Sequence, residues 1–240
     1  MYEVLSDFYD IFMDDVPYEK WCEYIARFLK KESKGVDIGC GTGAFTRLLH
    51  KKGFTVTGVD QSPQMLEKAK KKAKSEGMDI NFAVGDATTL ALPRPVDFIT
   101  ANCDVVNYLK NPLKFFRLAY KNLKEGGAFV FDISTHYKLS KILSNNVFTL
   151  KKEGITYIWE NFYSEKGAKV DMKLTFFAPE GNNLYSEHID EQTQYAHQTA
   201  DIISALNETG FSDVSAYGFL SKSTPKETEE RVHFVSYRRS

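Results

Sequence analysis

The sequence predicts a doubly wound α/β fold, a mainly parallel sheet with helices on both faces, carrying a small inserted antiparallel β subdomain. Three observations predict it. The apolar stretch Val36 to Ile38 runs into a loop with glycine at every second position, Gly39, Gly41 and Gly43, and then into Ala44 to His50 with apolar residues at helical spacing. Strand and helix patterns keep alternating as far as Ile133, which calls for a parallel sheet covered on both sides. From about Asn146 to Tyr195 the helical period stops, and apolar and polar residues alternate between turn signals.

The bulk numbers fit a globular enzyme-sized chain. At 240 residues it exceeds one minimal domain and leaves room for an insertion. Its 42% hydrophobic and 26% charged residues are ordinary for a packed core, and a net charge of −1 gives no general drive toward nucleic acid. The three cysteines, Cys22, Cys40 and Cys103, are odd in number and lack metal-ligand spacing, as expected of reduced thiols in a cytoplasmic protein. The start, MYEVLSDFYDIF, has no basic region or uninterrupted apolar run, so neither a signal peptide nor a membrane span is expected.

Taken in order, Tyr2 to Lys31 reads as helical, broken by Asp14-Asp15-Val16-Pro17, with proline opening the second helix. Its aromatics are expected to pack on the sheet, some of them closing over a ligand. Phe54 to Val59, ending in Asp60, is the second strand. Ser62-Pro63 caps a helix running to about Glu76, which Gly77 ends. Its lysines, Lys68, Lys70, Lys71, Lys72 and Lys74, are spread round the helix without interleaved aromatics and read as a solvated surface. Asp79 to Val84 and Pro95 to Ala101 are the next strands. Pro112 opens a helix from Leu113 to Leu123, which Gly126-Gly127 closes before the strand Ala128 to Ile133. The inserted meander turns at Glu153-Gly154, Lys166-Gly167 and Gly181-Asn182-Asn183. Thr199 to Thr209, ended by Gly210, is the last helix, and Phe211 to Leu220 and Arg231 to Arg238 are the closing strands. The division expected is residues 1–140 as N-terminal helices and core, 141–196 as insertion, and 197–240 completing the core.

The glycine loop has a chemical use. Without Cβ it turns sharply and lets a ligand approach the backbone, and the following helix directs free N–H groups at that ligand. Asp60 stands about 20 residues beyond the first glycine, where an acid reaches the ribose hydroxyls of an adenosine. The loop is G-x-G-x-G, not the G-x-G-x-x-G of dinucleotide sites. With Asp37 it resembles the first motif of class I S-adenosylmethionine-dependent methyltransferases, D-x-G-x-G-x-G. Asp60-Gln61-Ser62 with Met65-Leu66 resembles that family's second-strand motif, Gly85-Asp86-Ala87 its adenine-site motif, and Asp97 to Asn107 its fourth-strand motif. Together they cover roughly Val36 to Ile133.

The resemblance implies a Rossmann-like seven-stranded methyltransferase sheet, with the last strand inserted antiparallel beside the fifth, and S-adenosyl-L-methionine as cofactor. It implies that Asp60 accepts from both ribose hydroxyls, with Gln61 and Met65 in the same site. Asp86 would accept from the adenine amino group, with Ala87 nearby. Asp37 and the loop residues Gly39, Cys40 and Gly41 would face the methionine portion, and Asn102 and Cys103 would frame the sulfur. The strings FYDIFM and DVPYEKW are similar to the N-terminal segment of a bacterial subgroup, which implies that Tyr9 and Trp21 touch the ligand. Methyl transfer is an in-line displacement in which the protein chiefly positions and desolvates the acceptor, so no catalytic dyad is required. His136, just after the fifth strand, is the candidate base, against the ordinary reading of a loop histidine. His188, Asp190, Gln192 and Gln194 share one face of the last inserted strand and either line a polar cavity or face water. His188 and Asp190 lack a third ligand at metal spacing, so no metal is expected. The insertion is expected to select a small-molecule acceptor in a monomer or homodimer. An RNA or protein methyltransferase, a cofactor sensor without catalysis and, most weakly, a NAD-dependent dehydrogenase are the rivals.

Overall fold

The computed structural model describes residues 5–239; of the expected first helix, Tyr2 to Val4 lie outside them. Two helices open the described chain, α1 (Leu5–Phe12) and α2 (Tyr18–Ala26). The second is shorter than its apolar spacing predicts. The N–H groups of Arg27, Phe28 and Leu29 bond three residues back, to Tyr24, Ile25 and Ala26, so the helix tightens and ends before Lys31.

The main sheet comprises β1 (Lys34–Ile38), β2 (Thr55–Asp60), β3 (Phe82–Val84), β4 (Val96–Ala101), β5 (Leu123–Ser134), β10 (Phe211–Gly218) and β11 (Arg231–Arg238). Its order is β10-β11-β5-β4-β1-β2-β3. The pairs among β1 to β5 are parallel, and β11 lies antiparallel between β5 and β10. The order reverses between β1 and β4, and ligands of open α/β sheets bind outside the carboxyl ends at such a point.

The helices α3 (Ala44–Lys51), α4 (Pro63–Ser75), α5 (Leu113–Asn122) and α6 (Thr199–Thr209) cover the sheet. Phe129 and Phe131 of β5 pack with Phe115, Phe116, Ile202 and Leu206 from α5 and α6. Val130, between them in sequence, faces the other way into Trp21, Ile25, Phe45 and Leu49 of α2 and α3. Ser62 caps α4 by accepting from the Met65 N–H at 3.2 Å.

Two strand boundaries depart from expectation. β3 ends at Val84 as expected but pairs only from Phe82, which lies opposite Gly58, and not from Asp79. The glycine pair Gly126-Gly127 does not close α5, which stops at Asn122. Leu123 is already extended and opposite Val96, and the next pairs begin at Phe98 with Ala128. The glycines therefore sit in an irregular stretch of β5, with Gly126 at φ +70°.

The insertion forms a separate antiparallel sheet, β6 (Val147–Lys152), β7 (Ile155–Ser164), β8 (Lys169–Gly181) and β9 (Leu184–Tyr195), in sequential order. Tyr157, Phe176 and His188 stand in register across β7, β8 and β9, as do Trp159, Leu174 and Asp190. A short π-helical turn, Lys138–Leu143, unforeseen in the sequence, leads from β5 into this sheet. The aromatics of α1 pack here, not on the main sheet: Phe8 stacks on Phe176 at 5.0 Å and Phe12 meets Tyr157 at 5.1 Å. Asn107 ties the sheets together, its Nδ2 donating to the carbonyls of Ser134 and Tyr195, each at 2.9 Å. No helix among the described residues is long and apolar enough to cross a membrane.

Candidate active site

A cavity of about 1080 Å³ runs from the carboxyl edge of β1 and β2 to the inserted sheet. Gly39 and Gly41 form part of its floor, both with positive φ. A Cβ on Gly39 would stand 2.4 Å from a Val105 methyl, so only glycine lets the loop pass that side chain. A Cβ on Gly41 would meet nothing within 4 Å, so backbone there adjoins open space.

Asp60 holds this loop as well as lining the cavity. Its Oδ2 accepts from the Gly41 N–H at 2.8 Å and its Oδ1 from the Ser62 N–H at 2.9 Å. Burial pushes its pKa up, against the backbone hydrogen bonds, which favour the charged form. Gln61, Met65, Asp86 and Ala87 line the same end. Asp86 Oδ1 accepts from the Thr88 N–H at 2.6 Å. Tyr9 and Trp21 close over it from α1 and α2.

Several expected residues stand back from the cavity wall. Asp37 is buried beneath the loop, accepting from Thr46 Oγ1 at 2.7 Å and Thr100 Oγ1 at 2.9 Å. Burial pushes its pKa up to about 6 despite those bonds. Its position braces the loop from β1 to α3. The Cys40 side chain packs against the cluster of Leu66, Ala69 and Phe82. Asn102 is buried, its amide nitrogen and oxygen without hydrogen-bond partners. His136 is absent from the cavity lining; its ring nitrogens lie 3.4 Å from Ser140 Oγ and 3.3 Å from Tyr163 OH. That places it off the cavity lining, between Ser140 and Tyr163. His188 likewise faces Ser186 Oγ at 3.0 Å and the Phe8 ring.

Cys103 does line the cavity, in a turn the sequence did not reveal. Cys103 and Asp104 are consecutive left-handed residues, φ +59° and +66°, a conformation costing roughly 1–2 kcal/mol per residue outside glycine. Asp132 Oδ1 accepts from the Cys103 N–H at 2.7 Å and Oδ2 from the Asp104 N–H at 3.2 Å. Arg231, opening β11, bonds the carboxylates of both Asp132 and Asp104. Its guanidinium also lies over the Trp21 ring, 5.0 Å from the centroid. Burial raises Asp132 to about 7 against the pull of Arg231, with Asp104 adding repulsion. For Asp104, burial pushes up but the Arg231 charge prevails and holds it below the usual range. The signals for this trio were an acid inside the apolar run of β5 and an arginine at the start of a strand; neither names its partner.

The far half of the cavity combines an aromatic wall with polar groups. Tyr157, Trp159 and Phe176 of the insertion line it, with Phe12 of α1. Gln192 and Gln194 are buried on the inward face of β9. Gln192 accepts from Tyr108 OH at 2.7 Å and donates to Asp190 Oδ2 at 2.7 Å. The polar face of β9 thus turns inward from Asp190 on.

The near end fits S-adenosylmethionine. Two carboxylates on the cavity wall match the hydroxyl and amino donors of an adenosine, and the open space at Gly41 leaves room for a ligand against backbone. Comparison with known proteins agrees. The Methyltransferase domain family matches residues 36–131. A protein of Geobacillus sp. (strain WCH70) carrying a provisional methyltransferase name is 33% identical over 98% of both chains. The crystal structure of an S-adenosylmethionine-dependent methyltransferase from Clostridium acetobutylicum ATCC 824 superposes with a TM-score of 0.86, at 29% identity, over 99% of this chain and 98% of that one. An amino pentose methyltransferase from Micromonospora echinaspora shares the fold at TM-score 0.72 and 16% identity, over 99% and 98%. Glycine loop, strand-end acids, sheet order and whole-length relatives converge: the chain belongs to the class I S-adenosylmethionine-dependent methyltransferases.

Proposed function

We propose that this methyltransferase acts on a small molecule held between the cofactor edge of the main sheet and the inward face of the inserted one. The observation that carries this reading is the single continuous cavity of about 1080 Å³ reaching both surfaces. It stands at the top of the range of roughly 300–1,000 Å³ for small-molecule sites, enough for a cofactor and a compact second ligand. The amino pentose methyltransferase that shares this fold supports a small acceptor by analogy.

In this reading Asp60 accepts from the ribose hydroxyls, Asp86 from the adenine amino group, and the loop backbone at Gly39 and Gly41 meets the methionine portion. Gln61, Met65, Ala87, Tyr9, Trp21 and Cys103 complete the wall. Asp37 and Asn102 act from behind it, bracing the loop and the end of β4, and Cys40 anchors the loop on α4. Bound S-adenosylmethionine supplies a methyl group on a positively charged sulfur, activated for in-line displacement. The chain's part is to exclude water with α1 and the insertion and to orient the acceptor. Residues 1–140 and 197–240 hold the cofactor, and residues 141–196 supply the greater part of the acceptor wall.

The test is transfer of labelled methyl from S-adenosylmethionine into fractions of a bacterial extract. Label is expected in the low-molecular-weight filtrate. Label confined to the RNA or protein fraction would overturn the small-molecule reading.

A further inference from the structure

One cation on the cavity wall has no counter-charge in contact among the described residues. Lys138, on the turn that leads from β5 to the insertion, lines the cavity beside Ser134 and Arg231. Among the described residues its ammonium makes no hydrogen bond and no ion pair within 4.0 Å. Its neighbours explain why. Arg231 already occupies both nearby acids, Asp104 and Asp132. Lys138 therefore feels Asp104, Glu230 and Asp132 only at a distance, against the like charge of Arg231, while burial, the largest effect, draws its pKa down.

A surface lysine would turn its head to water, since the stem is long and flexible. This one is half-buried and lines the same cavity as the aromatic wall. A desolvated ammonium without a partner is costly and recovers that cost when an anion joins it. Neutral groups elsewhere on the same cavity lining, Ser134, Gln192 and Gln194, supply hydrogen bonds but no charge.

We propose that Lys138 recognises an anionic group, a carboxylate or a phosphate, on the methyl acceptor, whose apolar body lies against Tyr157, Trp159 and Phe176. This rests on the small-molecule reading above and narrows it to anionic acceptors.

The test uses protein saturated with S-adenosylhomocysteine and three probes, phenyl phosphate, phenylacetate and neutral phenylacetamide, followed by calorimetry at millimolar concentrations. At least one anion is expected to bind about tenfold or more tighter than phenylacetamide. Which anion prevails distinguishes phosphate from carboxylate. Added salt should weaken the anion more than the amide. Lys138→Gln should abolish the preference with S-adenosylhomocysteine affinity unchanged, and Lys138→Arg should keep it. Near-UV circular dichroism confirms that both variants fold. Equal binding of all three probes, no anion binding by the wild type, or a preference that survives in Lys138→Gln would each overturn the proposal. Methylation of a neutral small molecule in the labelling experiment would sink this inference and leave the proposed function standing.

Discussion

Replacing Asp60 with alanine removes a ligand group and a structural clamp together, and the two losses can be measured apart. The carboxylate is 8% exposed and accepts two backbone N–H groups, those of Gly41 and Ser62. Hydrogen bonds to a charged group contribute about 1.5–3 kcal/mol each. Relief from burying the carboxylate offsets part of that, so the apoprotein should lose about 2–4 kcal/mol in urea unfolding. The ligand side adds its own term. One lost charge-assisted bond to a ribose hydroxyl weakens cofactor binding by roughly ten- to a hundredfold, and loosening of the glycine loop adds to it. Calorimetry with S-adenosylhomocysteine, well below the onset of unfolding, reads this second loss alone. Acidification gives a further check. Burial raises the Asp60 pKa, so the wild-type site loses its acceptor charge at higher pH than an ordinary aspartate would. Cofactor affinity should drop on acidification in the wild type and less in Asp60→Ala. A folded Asp60→Ala variant with wild-type affinity would place the ribose elsewhere. Unchanged apoprotein stability would mean that the loop is not held by this carboxylate.

Arg231→Met should destabilise the protein by about 3–5 kcal/mol in chemical denaturation, because it strands Asp132, which is fully buried, and Asp104 without their cation; a loss below ~1 kcal/mol would show that the trio is not a coupled unit. His233→Phe tests a pH effect of defined sign. Burial, with Arg231 adding to it, lowers the His233 pKa to about 3, so between about 6.5 and 3 the folded state binds fewer protons than the unfolded and stability falls as pH falls. The phenylalanine variant, stacked on Phe219 as the imidazole is, should gain on the wild type in thermal melts as pH drops from about 7 to 4, by roughly 3 kcal/mol at most. Asp37 and Asp132, raised to about 6 and 7, work in the opposite direction but are common to both proteins, so a difference flat with pH would refute the assignment to His233. Trp159→Ala, on the aromatic wall, should leave S-adenosylhomocysteine affinity within about threefold and lower methyl transfer to the acceptor found by labelling at least tenfold; the reverse pattern would move the cofactor toward the insertion.

The cofactor end was legible because it is written locally. In a parallel sheet the carboxyl ends of successive strands meet at one edge, so Asp37, Gly39, Gly41, Asp60 and Asp86 fall where each strand stops, at spacings the sequence displays. The insertion was legible for a similar reason: strands of period two joined by turn residues pair with their sequence neighbours. Periodicity carries no information about which surface an amphipathic helix meets. The α1 aromatics therefore read as covering the main sheet, whereas Phe8 and Phe12 lie on β7 and β8 of the insertion. Gly126-Gly127 misled for a related reason. Glycine after a helix signals a stop, but the same residue at φ +70° also serves an irregular strand, and only the register of β5 on β4 separates the two.

The rest of the cavity was not legible, because its contacts join residues far apart in the chain. Arg231 reaches Asp104 across 127 positions, and Asn107 reaches Tyr195 across 88. Nothing in either segment announces the other. The connection has a physical logic once the sheet order is known. Inserting β11 beside β5 brings Arg231 opposite Ser134, two residues beyond Asp132, at the carboxyl edge where β4 also ends. A left-handed pair at Cys103 and Asp104 needs outside support to persist, and Asp132 supplies it through both backbone N–H groups. An isolated acid in that position would tend to protonate; Arg231 opposes this by pairing with it. The closing strand, which by sequence only completes the sheet, thereby supplies the cation that pairs both acids at this edge.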